Sequence, residues 1–145
     1  MAADNQSKQI RVEIVCPVQG PIFSGQADMV VVPAAYGDVG IAPGHARMLT
    51  RIEPGVVRLL NSGQESINYF VSGGFLEVEP TLATVLADTI ERAADIDEAA
   101  AEKARESARA SLREAHERID RERAEYELAL AAARIKALEK GRKGY

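Results

Sequence analysis

Few side chains in this sequence could perform chemistry. His45 and His116 are the only histidines and Cys16 is the only cysteine, so a structural zinc site, which takes about four such ligands, has too few candidates. A serine hydrolase would have to pair Ser72 with His45. The stretch around Ser72, FVSGG, lacks the first glycine of a nucleophile elbow. A strand end followed by a turn explains that stretch better.

A glycine-rich stretch, GDVGIAPGH, spans residues 37–45. Glycine-rich loops bind phosphates when a Lys followed by Ser or Thr completes them. This stretch contains none of the three residues, so it is not a P-loop. Taken alone, it predicts a turn that carries an exposed His45.

Composition limits the possible partners. The net charge is -4, with five Lys and Arg against nine Asp and Glu up to residue 90 and thirteen against thirteen beyond it, so neither half is a basic nucleic-acid surface. A single cysteine predicts a reducing compartment. The opening MAADNQSKQ has no apolar signal-peptide core, and no run reaches membrane-spanning length. We expect any membrane association to depend on partner proteins.

The predicted secondary structure changes from strands to helices within residues 72–98. All six prolines and nine of the eleven glycines lie at or before Pro80, whereas residues 81–140 contain neither. From Asp95 onward the composition is that of exposed helix, rich in Ala, Glu, Lys, Arg and Leu. The sequence therefore predicts two units, a β unit in residues 1–90 and a helical unit, called the arm, in residues 91–145.

The β unit is predicted from short alternating runs bounded by Gly or Pro. After a tail of nine residues the runs cover residues 10–15, 20–24, 29–32, 37–41, 48–52, 56–60, 66–72, 75–79 and 82–87. In the run at 66–72, Ile67, Tyr69 and Val71 share one face and Asn68 and Phe70 the other. Nine or ten short strands without intervening helices indicate a β-sandwich or a flattened barrel.

The first helix of the arm is predicted to begin at Asp95, with Glu98 completing a capping box. Two stripes of apolar residues follow at helical spacing, and the second stripe does not continue the spacing of the first. We expect two helices that fold back near residues 115–121, with Gly141 at the end of the second; one continuous helix is the alternative. The stripes are Ala101, Ala104, Ala108, Leu112, Ala115 and Ile119, and then Ala124, Leu128, Ala131, Ile135 and Leu138.

The two stripes consist largely of alanine, which buries little apolar area, so the arm has no substantial core of its own. Its fold is expected to depend on what it lies against. An element of marginal stability joined to a compact sandwich can change position when a partner prefers one state.

Four stretches in one order resemble the epsilon subunit of F-type ATP synthases, which is called delta in mitochondria. They are the opening VEIV with a following FSG, GDVGIAPGH with a later LT, VSGGFLEV, and TVLAD. The resemblance spans residues 10–139. It implies a mainly β fold with α, in which a ten-stranded β-sandwich is followed by an antiparallel two-helix hairpin. It also implies a non-catalytic rotor subunit of a proton-translocating synthase.

The resemblance further implies the partners. One edge of the sandwich would bind the gamma subunit, and the glycine-rich stretch would face the ring of c subunits through Asp38, Val39, Gly40, Ile41, Pro43, Gly44 and His45. In its extended state the arm would reach acidic segments of the alpha and beta catalytic subunits and restrain ATP hydrolysis. The arginines expected to make those contacts are Arg118, Arg121, Arg123 and Arg134.

Some members of this family bind ATP through a motif of Ile or Leu, Asp, two variable residues, Arg and Ala. Here Ile96 and Asp97 fit the motif and Glu91 is placed as in members that bind, but Ala100 stands where the arginine belongs. Loss of that guanidinium removes a charge-assisted contact of roughly 1.5–3 kcal/mol. We therefore expect weak ATP binding or none, and no other cofactor.

Two alternatives come from other classes of protein. One is a stand-alone β-sandwich enzyme or binding module with a coiled-coil oligomerisation tail, and the other is a scaffold whose helices form one long coiled coil. The expected location is peripheral, on the cytoplasmic face of a bacterial inner membrane, in preference to an organelle membrane.

Overall fold

The computed structural model describes residues 9–143, so residues 1–8 of the predicted tail lie outside the described part. Within it the chain forms ten strands and two α-helices. The elements are β1 (Ile10–Cys16), β2 (Gly20–Ala27), β3 (Met29–Ala34), β4 (Gly37–Ile41), β5 (Met48–Ile52), β6 (Gly55–Leu60), β7 (Ile67–Val71), β8 (Gly74–Glu79), β9 (Leu82–Ala87), β10 (Ile90–Arg92), α1 (Glu98–Glu114) and α2 (Arg118–Lys143).

The strands form a single hydrogen-bonded path that folds around one core. Its order is β10-β7-β6-β3-β5-β8-β9-β1-β2, and β4 pairs with β3 beside this path. All the pairings are antiparallel except β1 with β9, where Arg11 lies opposite Leu82 and Val15 opposite Leu86. The predicted mainly β sandwich followed by a helical hairpin is confirmed.

The core is built from the alternate residues of these strands. In β1, Ile10, Val12 and Ile14 are fully buried, and in β8 Leu76 and Val78 are buried while Glu77 faces solvent. This alternation is what a strand with one solvated face produces. The period-2 pattern of the sequence therefore identifies the inward face correctly in both strands.

Strand β7 departs from that alternation. Asn68 and Phe70 were assigned to the face opposite Tyr69 and Val71, yet all four are buried. The reason is that α2 packs over β6 and β7, so the second face of β7 is covered as well. Strand β10, which pairs with β7, was missed because three residues are too few to show a period. It spans the predicted unit boundary at residue 90, and that boundary stays a prediction.

The hairpin is confirmed and the single continuous helix is wrong, since residues 115–117 separate α1 from α2. The predicted helix start at Asp95 is also wrong. Asp95 belongs to a short helical turn, Ala93–Asp95, and Ile96 then adopts an extended backbone before Asp97 caps α1. The Asp97 carboxylate accepts a hydrogen bond from the Ala100 backbone N–H at 3.1 Å.

The end of α2 and one apolar stripe also differ from prediction. Helix α2 continues through Gly141 to Lys143, so Gly141 does not end it. In α1, Ala101 and Ala108 are buried but Ala104 is exposed. The buried face passes instead through Arg105, whose Nε is buried with no hydrogen-bond partner among the described residues.

Helix α2 has two apolar faces, of which the sequence revealed one. The predicted stripe is largely correct, because Ala124, Ala131 and Ile135 are buried in the helix that packs against α1. A second face meets the sandwich in a cluster of Val56, Phe70, Ala93, Ala133 and Ala137, with Ile96 and Leu130 packed at its margin. The arm therefore lies against the sandwich through mostly small side chains. No helix among residues 9–143 has the length and apolar character needed to cross a bilayer.

Candidate functional site

The glycine-rich stretch divides into a strand and a loop. Residues 37–41 form β4, paired with β3, and residues 42–47 form the loop. The Gly44 N–H donates to the Pro80 carbonyl oxygen at 2.8 Å, which fixes the loop beside the β8–β9 turn. Gly44 has a φ of +83°, a conformation that favours glycine. His45 is half-buried, and its Nδ1–H donates to the Ala46 carbonyl oxygen at 2.7 Å.

The residues predicted to face one partner do not form one surface. Ile41 lies in the core with no exposed area, so only its backbone is available to a partner. Asp38 lies at the far end of β4 from His45, in a cleft of about 250 Å³ against α2. Lys136 and Lys140 line the same cleft. Pro43, Gly44 and His45 remain together at the loop.

An ion pair and a hydrogen-bonded carboxylate flank the loop's end of the sandwich. The Arg47 Nη1 lies 3.3 Å from the Glu79 carboxylate. Asp28 accepts hydrogen bonds from the Ser62 backbone N–H at 2.6 Å and from the Gln9 amide at 3.2 Å. These bonds favour the charged carboxylate, and they lower the pKa of Asp28, the Ser62 bond most. This end of the sandwich is therefore held together by polar contacts between neighbouring turns.

An apolar row crosses the solvent-facing side of three adjacent strands. Val15, Leu86 and Phe75 are direct cross-strand neighbours in β1, β9 and β8, and Phe75 and Leu86 are 51% and 42% exposed. Leu49 on β5 is 72% exposed and lies opposite Glu77, which is two residues along β8 from Phe75.

Polar neighbours border the apolar row. Ser24 donates to the Glu13 carboxylate at 2.8 Å, and this bond is the main cause of the lowered pKa of Glu13. Arg11 lies 2.8 Å from the same carboxylate. An apolar centre with a polar border is the usual anatomy of a protein–protein interface. The sequence did contain the signal, because Phe75 occupies the outward position of an alternating strand.

Arg134 lies at the contact between the arm and the sandwich. Its guanidinium donates two hydrogen bonds to Glu91 of β10, at 3.2 and 3.1 Å. The guanidinium carbon also lies 4.4 Å from the centre of the Phe70 ring. Phe70 itself is fully buried. Burial of β7 raises the pKa of the neighbouring Tyr69.

Arg118, Arg121 and Arg123 lie at the tip of the arm, apart from Arg134. All three are exposed. The Arg118 side chain is 90% exposed and its Nε lies 2.9 Å from Glu122, a contact that contributes little at a solvated surface. Arg123 borders a small cleft together with Asp120 and Glu127. The four arginines predicted as one set therefore fall into two groups.

The residues of the ATP motif make contacts within the chain itself. Asp97 caps α1, Ile96 packs at the margin of the arm–sandwich cluster, and Glu91 is paired with Arg134. Each of these three side chains therefore already has a contact within the chain. Among residues 9–143, no three His, Cys, Asp or Glu side chains are grouped to hold a metal ion.

A sandwich with an exposed apolar row, joined to a hairpin that packs on it through small side chains, defines a subunit of a larger protein assembly. Family models specify which assembly. Residues 9–93 match the ATP synthase Delta/Epsilon chain beta-sandwich domain, and residues 94–139 match the Delta/Epsilon chain long alpha-helix domain. The chain belongs to the delta/epsilon family of ATP synthase subunits. It is a rotor subunit of an F-type ATP synthase.

Curated relatives support this assignment. The chain is 47% identical over 135 residues to ATP synthase epsilon chain 1 of Methylococcus capsulatus, an alignment that covers 93% of this chain and 96% of the relative. It is 48% identical to the ATP synthase epsilon chains of Halorhodospira halophila and Nitrosococcus oceani, over 92% of this chain and 95% of each relative. Family membership excludes the stand-alone module and the coiled-coil scaffold.

Solved structures share the fold. A chain in the Euglena gracilis mitochondrial ATP synthase, OSCP/F1/c-ring, superposes with a TM-score of 0.80 at 22% identity, over 90% of this chain and 82% of that one. A chain in the Tetrahymena thermophila mitochondrial ATP synthase central stalk and c-ring gives a TM-score of 0.59 at 12% identity, over 89% and 96%. At these identities the likeness concerns the fold alone.

Proposed function

We propose that this subunit is non-catalytic and transmits rotation of the c-ring to the catalytic head through the gamma subunit. The observation that carries this proposal is the apolar row in which half-buried Val15 lies beside exposed Leu86 and Phe75. A soluble chain gains nothing from large apolar side chains aligned on a solvated sheet face unless a partner covers them. We assign that face to gamma, because an apolar centre with a polar border suits a lasting contact between two subunits.

The c-ring is assigned to the loop at residues 42–47. That loop is held by the Gly44–Pro80 hydrogen bond and lies at the same end as the Asp28–Ser62 clamp. A rigid end is suited to transmitting torque, because a contact that deforms under load would not pass the torque on. Pro43, Gly44 and His45 are the contact residues of this assignment, whereas Asp38, at the far end of β4, belongs beside the arm.

The arm is assigned a restraining role in ATP hydrolysis. Arg118, Arg121 and Arg123 are exposed at its tip and complement acidic segments of the alpha and beta subunits when the arm leaves the sandwich. The alternative position is the one described above, with α2 packed over β6 and β7. The arm is thus a two-state element whose balance each set of contacts shifts.

The isolated chain is expected to bind ATP weakly or not at all. Ala100 stands where the motif has Arg, and Glu91 is already engaged by Arg134. Isothermal titration is expected to give weak binding or no heat. Tight binding would overturn this part of the proposal.

The subunit is assigned to the cytoplasmic face of a bacterial inner membrane, held there only through the complex. The bacterial origin of the curated relatives supports this location over an organelle.

Gamma binding is tested by replacing the apolar row. Phe75→Ser combined with Leu86→Ser is expected to weaken binding to purified gamma at least about 10-fold, since each truncation at an interface centre costs roughly 1 kcal/mol or more. Val18→Ser is the matched control, because Val18 is 90% exposed in a turn outside the row. Both proteins should keep the wild-type melting temperature. Unchanged affinity in a folded double variant would contradict the assignment.

A further inference from the structure

The contact between the arm and the sandwich combines small side chains with one long charged residue. Ala133 and Ala137 present methyl groups to Val56 and Phe70. Such a contact is closely packed but buries little area, so it holds the arm weakly by the hydrophobic effect alone. Arg134 lies on the same helix, next to Ala133, with 27% of its side chain exposed.

Arg134 is engaged from two directions. Its planar guanidinium makes a two-pronged pair with Glu91, the geometry that gives Arg–carboxylate pairs their strength. The guanidinium also lies over the Phe70 ring at 4.4 Å, within the range of a cation–π interaction. Glu91 and Phe70 are opposite each other in the β10–β7 register. One arginine of the arm is therefore held by a pair of adjacent residues of the sandwich.

We propose that Arg134, Glu91 and Phe70 form a clasp that stabilises the compact arm without any bound ligand, so that Arg134 opposes the restraint of hydrolysis that the tip arginines promote. This inference rests on the restraining role proposed above. Extension of the arm must break the two-pronged pair and uncover Phe70, which has no exposed area in the compact state. Arg134 thus favours the compact arm, whereas the arginines at the tip favour the extended arm.

The clasp requires arginine in particular. Lysine would keep the charge but is a point donor that neither pairs through two nitrogens nor stacks flat on a ring. Arg134→Lys is therefore expected to open the arm almost as far as Arg134→Gln. A contact that depended on charge alone would be retained by lysine.

The first test measures deuterium uptake by α2 peptides of the full-length chain. Arg134→Gln removes both contacts and is expected to raise the fraction of open arm roughly 10- to 100-fold. Glu91→Gln leaves the Phe70 contact and should raise that fraction less, and the double variant should resemble Arg134→Gln because the pair is already lost in it. Arg118→Gln is the matched control, since Arg118 is paired with Glu122 on the same helix but is exposed. Wild-type protection in Arg134→Gln would overturn the clasp.

A charge-exchanged variant separates clasp loss from misfolding. Glu91→Arg combined with Arg134→Glu restores a pair of opposite charges and is expected to recover part of the protection that Glu91→Arg alone loses. No recovery in a protein that melts like the wild type would count against a pairing role.

The second test measures ATP hydrolysis by the complex reassembled with each variant. Arg134→Gln is expected to lower the rate below that with the wild-type chain, whereas a variant with Gln at 118, 121 and 123 is expected to raise it. If exchange changes as expected but no variant alters hydrolysis, the restraining role fails and the clasp stands. If exchange is unchanged, the clasp fails whatever the hydrolysis rates.

Discussion

Replacement of Ala137 by Leu should release the arm and leave the sandwich folded. Ala137 has no exposed area and packs with Val56, Phe70 and Ala93. Leucine adds an isopropyl group where there is no room for it. Overpacking of this kind costs about 1–3 kcal/mol when the surroundings cannot move.

Here the surroundings can move, because α2 lies on the outside of the sandwich instead of within its core. The free-energy cost of overpacking therefore shifts the equilibrium from the packed arm towards the released arm. A change of about 1–3 kcal/mol corresponds to a roughly 5- to 150-fold rise in the released fraction. The strands retain their own core of alternating residues, which the substitution does not touch.

Hydrogen exchange of α2 together with thermal unfolding tests this expectation. Ala137→Leu should lose protection in α2 while β1 and β8 keep theirs. Ala132→Leu is the matched control, since it adds the same group to the same helix at an exposed position. Wild-type protection in Ala137→Leu would refute the described packing. Loss of protection throughout the sandwich would instead show that the arm is an integral part of the fold.

Three further changes test the sandwich and the start of the arm. Gly74→Ala should lower the melting temperature by more than about 10 °C, because an added Cβ would clash with the Leu86 carbonyl oxygen and the φ is +152°; a shift of a few degrees would contradict this. Asp97→Ala should cost about 1 kcal/mol of α1 stability, visible as faster exchange in its first turn, and equal exchange would show that the cap is dispensable. The lowered pKa of Asp28 means that its contribution is present above the ordinary aspartate pKa of about 3.9 and is lost as the pH falls towards the lower folded value. The melting temperatures of wild type and Asp28→Asn should therefore differ at pH 6 and converge in acid, whereas a constant difference would exclude this linkage.

Much of the fold could be predicted because local chemistry determines it. Gly and Pro interrupt the strands where turns are needed, and alternation marks the inward face of β1 and β8. The hairpin was predicted because the apolar stripe that runs to Ile119 would continue at Glu122 and Arg123, which are charged. Those signals depend only on neighbouring residues, so they are visible in the sequence.

The parts that could not be predicted depend on distant contacts. Phe70 lies on the face of β7 opposite Tyr69 and Val71, and its burial comes from the packing of α2 over that face. Ala133 and Ala137 fall outside the stripe that faces α1 because they contact the sandwich. Arg134 was grouped with the tip arginines, since nothing local in the sequence shows that Glu91 and Phe70 lie beside it. Asp95 and Asp97 are equally good caps by type, and the extended backbone of Ile96 favours the second.

Coupling of the c-ring to the catalytic head is tested most directly by ATP-driven proton pumping in membrane vesicles that contain the synthase without this subunit. We predict that hydrolysis proceeds with little pumping, and that the full chain restores pumping. The variant with Phe75→Ser and Leu86→Ser should fail to restore it. Equal pumping per ATP hydrolysed, with and without the subunit, would contradict its role in coupling the c-ring to the catalytic head.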